Sequence, residues 1–206
     1  MCENLLNFFD NDIICFMRKL IVATGNKGKL KEISELLKDK YEVISMKEAG
    51  FSGEIEENGK SFYENALIKA KAVSKALGVD ALADDSGLCV EALNGEPGIY
   101  SARYSGVHGN DKENNALLLK NLEGNENRKA KFRCVVVMYR TDGTVVSGFG
   151  ETDGTIGFES HGEKGFGYDP IFRSDDLNKF FGEASEDEKN SCSHRFRALK
   201  DLSGKL

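Results

Sequence analysis

No apolar run in this chain approaches the roughly 18 residues that a membrane-spanning helix needs, and 30% of its 206 residues are charged. The sequence therefore points to a soluble protein with no membrane partner. Basic excess is missing too: 28 lysines and arginines face 34 acids, for a net charge of −6. That balance gives no electrostatic reason to bind a nucleic-acid polymer, so a phosphate ligand must be met by a local pocket. Paired cysteines are absent as well. The five cysteines, Cys2, Cys15, Cys89, Cys134 and Cys192, form an odd, widely spaced set without a C-x-x-C pair. This argues against a disulfide frame and a structural zinc site, and it suits a reducing cytoplasm. The three histidines, His108, His161 and His194, are too scattered to form a metal cluster by spacing. Carboxylates become the expected metal ligands, which favours magnesium, with manganese as the alternative.

Residues 1–18, "MCENLLNFFDNDIICFMR", lack the basic start and clean apolar stretch of a signal peptide. They read as an N-terminal extension, either flexible or an overextended start, ahead of one domain over 19–206. The chain length fits a single unit with a sizeable core.

From residue 19 the pattern alternates between strand and helix. "KLIVAT" (19–24) has the look of a buried strand, and "GNKGK" follows as a turn. Leu30, Ile33, Leu36 and Leu37 then mark one face of a helix. "YEVISM" (41–46) reads as a strand and "SGEIEENGK" (52–60) as an acidic loop. Ser61 with Glu64 predicts a capping box, opening a helix whose stripe is Phe62, Ala66, Ala70, Val73 and Leu77. "DALAD" predicts a short strand ending at Asp84, followed by a turn-rich connection over 94–106 and a helix over 111–122. "KFRCVVVMYR" (131–140) predicts a strong strand. Asp142-Gly143 turns it into 144–152, and "GTIGF" (154–158) suggests a third antiparallel strand. After the glycine-rich loop 161–172, Ser193 caps a last helix carrying Phe196, Leu199 and Leu202. The fold class is α/β with a mixed sheet.

Four stretches carry candidate chemistry. In "ATGNKGK", a glycine turn between strand and helix offers backbone N–H groups and the helix dipole, with Lys27 and Lys29 adding charge. Phosphate suits that turn, although Ala23 and Leu30 stand where a Walker A loop needs Gly and Ser/Thr. Taken alone it is equally a turn with solvated lysines. Adjacent Asp84 and Asp85 repel unless a cation sits beside them, which a divalent metal or a lysine supplies; "DDSG" also suits a tight turn. The acids Glu54, Glu56 and Glu57 form a solvated loop by themselves, but the helix after them returns the chain to Asp85, so both can converge on one metal. "GFGYDP" sets Phe166 and Tyr168 among glycines, where either ring can stack on a base or fill a structural turn. Lys189, His194 and Arg195 bring donors near a helix start, fit for a carbonyl or phosphate, while Arg195 and Arg197 read equally as solvated helix charges.

Together, "ATGNKGKLKEI", "EIEENGKSFYENALIKAKA", "ADDSGLCVEALNGEPGIYSARYSG", "GFGYDPIF" and "EKNSCSHRFRAL" resemble the signature blocks of the inosine/xanthosine triphosphate pyrophosphatase family. The blocks occur in the family's order from about Leu20 to Leu202. The resemblance implies a long twisted mixed sheet flanked by helices, two lobes with a central cleft, and a homodimer. It also implies Mg²⁺-dependent hydrolysis of purine nucleoside triphosphates to monophosphate and pyrophosphate. Carried over, Thr24, Gly25, Asn26, Lys27, Gly28 and Lys29 cradle the phosphates. Glu56 and Asp85 hold the metal, Asp85 activates water, Ser86 touches substrate, and Asp84 supports from behind. Phe166, Gly167, Tyr168, Asp169, Lys189, His194 and Arg195 form the base pocket. Hypoxanthine and xanthine carry a 6-keto acceptor that such donors pair with, whereas adenine would leave them unpaired. Guanine shares the keto group, so its exclusion must act on the 2-amino group. Two other classes remain open: a Maf-type nucleotide pyrophosphatase and a non-catalytic nucleotide-binding module.

Overall fold

A computed structural model describes residues 18–206 of the chain; the expected extension lies outside the described residues except for Arg18, which opens the first strand. Among the described residues, seven strands form one mixed sheet in the order β2-β1-β3-β4-β5-β6-β7. β1 (Arg18–Val22) runs parallel to β2 (Tyr41–Ser45) and to β3 (Ala81–Val90), as expected for strands joined by helical crossovers. The crossovers are α1 (Lys27–Leu37) and α2 (Phe62–Leu77). Beyond β3 the pairing is antiparallel through β4 (Lys129–Tyr139), β5 (Val145–Ile156), β6 (Phe172–Ser174) and β7 (Lys179–Phe180). α3 (Asp111–Asn121), α4 (Glu186–Cys192) and α5 (His194–Ser203) complete the architecture.

The core has a layer on each side of the sheet. Leu20, Val22, Leu82 and Val136 pack with Ile33 of α1 and Leu199 of α5, while Ala81, Ala83 and Val137 pack with Ala66, Ala70 and Val73 of α2. A third cluster, including Leu88, Leu118, Phe132, Phe172 and Phe181, fills the far half. α5 lies hard against β5: side chains at Gly148 and Gly150 would run into the backbone of α5 at Ala198 and His194. That close approach sets the height at which the start of α5 stands over the sheet.

Several boundaries differ from the sequence reading. β3 does not stop at Asp84 and "DDSG" is no turn: Asp84 pairs with Val136 and Asp85 with Val135 in mid-strand. The two acids tolerate this because each finds a polar partner on its own face. Residues 154–156 are the end of β5 rather than a separate strand, since β4 goes on pairing with β5 as far as Thr155. The short strands β6 and β7 give no readable periodicity. At α2 the Ser61 hydroxyl accepts the Glu64 N–H at 3.2 Å, but the Glu64 carboxylate accepts the Lys60 N–H at 2.6 Å instead of closing a capping box.

Candidate active site

In a strand, successive side chains point to opposite faces. The neighbouring acids of β3 therefore meet different partners. Asp84 faces α1 and α5, where its Oδ2 meets Lys29 Nζ at 3.1 Å and Arg195 Nη2 at 3.1 Å. Asp85 faces α2, where its Oδ2 accepts a hydrogen bond from Asn65 Nδ2 at 3.1 Å and its Oδ1 lies 3.6 Å from Lys69 Nζ. Lys69 also binds Glu57 Oε2 at 2.9 Å. Burial works to raise the Asp84 carboxyl, but Lys29, Arg195 and Lys69 outweigh it and hold the group well below the usual range. Burial wins at Asp85, which is raised despite Lys69 and Lys29. Asp84 thus does not brace Asp85 directly; it anchors two cations on the opposite face.

The glycine turn is built as expected. Asn26 caps α1, its Oδ1 accepting the Lys29 N–H at 3.1 Å, and Thr24 Oγ1 accepts the Asn26 N–H at 3.1 Å. Gly25, Asn26 and Lys27 are exposed, leaving the helix start open to an anion.

A pocket of about 430 Å³ opens between α1, α4 and the 164–166 loop, lined by Gly28, Glu32, Lys164, Phe166, Ser185 and Lys189. Its charged groups are tightly paired. Lys189 Nζ binds Asp169 Oδ2 at 2.6 Å and Glu32 Oε1 at 2.7 Å, and Arg195 binds Glu32 through Nη1 and the Ser86 hydroxyl at 3.0 Å. Burial tends to raise Glu32, yet Arg195 and Lys189 keep it below the ordinary range. The Phe166 ring has Lys189 Nζ 4.6 Å and Arg195 Cζ 5.9 Å from its centroid. It also sits on Gly28, where an added Cβ would stand 2.6 Å from the ring.

The sequence-derived base-pocket set divides here. Phe166 lines the pocket. Tyr168 does not, since it is buried in the Phe132 cluster with its hydroxyl donating to the Ser101 carbonyl at 3.0 Å. Asp169 is occupied by Lys189 and by the Phe166 N–H at 2.8 Å. His194 is buried and stacked on Phe132 at 4.7 Å. Burial, with Arg195 and Lys189, lowers it well below its usual range, which favours a neutral imidazole over a cationic donor, and among the described residues its Nδ1 has no partner. Glu56 is exposed, and Glu57 makes the contact to Lys69. The sequence reading missed Glu32, Asn65 and Lys69. Asn65 and Lys69 lie four residues apart on α2, a same-face spacing readable only once β3 is known to cross that face.

Two carboxylates, Glu57 and Asp85, thus converge on one positive charge, and hard oxygen donors of this kind fit a divalent cation such as Mg²⁺. Among the described residues, no group of three or more His, Cys, Asp or Glu side chains gathers as a metal site. A metal held here would need further oxygens from phosphate and water.

The sequence model of the Ham1 family matches residues 20–205. A dITP/XTP pyrophosphatase of Bacillus subtilis is 46% identical over 190 residues, covering 91% of this chain and 96% of that protein. A dITP/XTP pyrophosphatase of Haemophilus influenzae is 47% identical over 194 residues, with 92% and 99% coverage. The Staphylococcus aureus Ham1 protein superposes with a TM-score of 0.82 at 41% identity, covering 92% of this chain and 98% of that one.

Proposed function

The chain belongs to the Ham1 family, and on that premise we propose that it hydrolyses ITP, dITP and XTP to the nucleoside monophosphate and pyrophosphate, removing non-standard purine nucleotides from the precursor pool. The observation that carries this reading is a single ion-pair network. It runs from Lys29 at the glycine turn through Asp84, Arg195 and Glu32 to Lys189 beside Phe166. That continuity supports reading the phosphate and base ends as one site.

Thr24 to Lys29 would hold the phosphate chain through N–H groups and lysines, with Ser86 beside it. Asp85 would accept the proton of the water that attacks the α-phosphorus. The bond to the bridging oxygen breaks, and pyrophosphate leaves with the electron pair, its charge met by the lysines of the turn. Asp85 and the Glu56-Glu57 pair would hold Mg²⁺, which when bound neutralises triphosphate charge. Phe166 would stack on the purine and the third N–H of Lys189 would read its 6-keto edge, with Arg195 and His194 packed behind them. Lys189 is fixed by Glu32 and Asp169 and cannot swing to suit another base, so adenine would leave its third N–H unpaired.

The resemblance also supports a homodimer, checked by sedimentation. A cytoplasmic location is supported by Cys89, Cys134 and Cys192 being free thiols. Among the described residues no helix is long and apolar enough to cross a membrane.

The deciding experiment is pyrophosphate release with Mg²⁺ from ITP, dITP, XTP and the common triphosphates. Inosine and xanthosine substrates should exceed ATP in kcat/KM by roughly 10³ or more. A preference for modified pyrimidines would mark a Maf-type enzyme, and binding without release would mark a regulatory module.

A further inference from the structure

Helix α3 grips both polar groups of one residue in the loop that carries Phe166. Asp111 Oδ2 accepts the Gly167 N–H at 2.7 Å, and Asn115 Nδ2 donates to the Gly167 carbonyl at 3.1 Å. The two side chains stand four residues apart on one helix face, so a single rigid element holds the residue from both sides. Gly167 has a φ of +62°, a conformation open to many alternatives in a free glycine loop, so the tethers select one of them.

The grip is part of a larger block. Asn114 Oδ1 accepts the Ser105 N–H at 2.8 Å, and Tyr168 and Asn114 both donate to the Ser101 carbonyl. On the other side the Phe166 N–H is held by Asp169. The Phe166 backbone is thus held on both sides, while its ring rests on Gly28.

We infer that Asp111 and Asn115 are positioning residues for base recognition, setting the Phe166 platform through the Gly167 peptide groups without touching the substrate. The inference rests on the reading of Phe166 as the surface on which the purine stacks. It attributes to α3 a role in nucleotide affinity that leaves the phosphate end untouched.

The two bonds differ in what chemistry can replace them. Asp111→Asn keeps an oxygen acceptor and should behave as wild type, whereas Asp111→Ala loses it. Asn115→Asp keeps the shape but has no N–H to donate.

The test measures steady-state ITP hydrolysis, with inorganic tripolyphosphate as a competitive inhibitor that carries no base. Asp111→Ala and Asn115→Asp should raise KM for ITP about five- to thirtyfold, the worth of one lost hydrogen bond, with kcat within about twofold. The tripolyphosphate inhibition constant should stay at its wild-type value, and Asp111→Asn should restore KM. An unchanged KM in both variants, or an equal loss of affinity for ITP and tripolyphosphate, overturns the inference. Phe166→Ala tells which idea has failed. A wild-type KM there removes the stacking reading and this inference with it, while a raised KM there, with wild-type values in the α3 variants, removes the inference alone.

Discussion

Arg195 and Asp84, 111 residues apart in sequence, are joined in the interior by Nη2 and Nε of the guanidinium at 3.1 and 3.3 Å from one carboxylate oxygen. Both side chains are essentially inaccessible to solvent. Their value lies less in the attraction itself than in the cost of leaving either charge without the other.

Asp84→Asn should therefore destabilise the protein by about 3 kcal/mol, at the low end for a broken buried pair because Glu32 still holds Arg195. For a domain of this size the melting temperature should fall by roughly 10 °C. Since the folded carboxyl lies below its usual range, its stabilisation is present at neutral pH and lost as acid protonates it. An unchanged melting temperature would show that the pair contributes nothing.

Asp85→Asn should leave the melting temperature within a few degrees, because Asn fills the same space against Asn65 and Lys69. Pyrophosphate release from ITP should drop by about 10³ or more, the order expected for losing a proton acceptor near the reacting atom. Wild-type turnover would take Asp85 out of the chemistry.

Glu57 shares Lys69 with Asp85, while Glu56 is exposed. Titrating activity with Mg²⁺ separates the two acids. Glu57→Gln should raise the half-saturating concentration about tenfold or more, and Glu56→Gln by less. The reverse order would assign the metal to Glu56.

At Gly28 two effects oppose each other. Alanine favours a helix over glycine by about 1 kcal/mol, but its Cβ would stand 2.6 Å from the Phe166 ring. Overpacking costs typically about 1–3 kcal/mol, so Gly28→Ala should be net destabilising and should raise KM for ITP several-fold by moving the ring. A stabilised variant with wild-type KM would show that the ring yields freely.

Glu188, at the start of α4, is brought down to about 2 by the Lys179 ammonium and the Ser185 N–H. A depressed carboxyl stabilises the folded state above its unfolded value near 4.3 and loses that contribution as pH falls toward 2. Glu188→Gln should thus flatten the dependence of stability on pH between about 4 and 2, read by urea denaturation. An unchanged slope would show that the pair is broken in solution.

The sequence by itself determined the alternation of elements, the helices and the resemblance. α1, α2, α3 and α5 are legible because caps such as Ser61 and Ser193 and apolar stripes are local signals, set within a few turns of chain. The candidate residues also share a linear pattern that marks the Ham1 family from Leu20 onward. Tertiary structure alone decided what each acid and aromatic does. Asp84 and Asp85 are neighbours in sequence, yet β3 runs on past them and turns them to opposite faces, one to Lys29 and Arg195, the other to Lys69. Phe166 and Tyr168 part in the same way, one into the pocket and one into the core. Glu32 acquires its role only when α4 and α5 bring Lys189 and Arg195 across to α1. Charge pairing and burial depend on distance in space, and a linear pattern carries that distance only where a helix or strand converts spacing into direction.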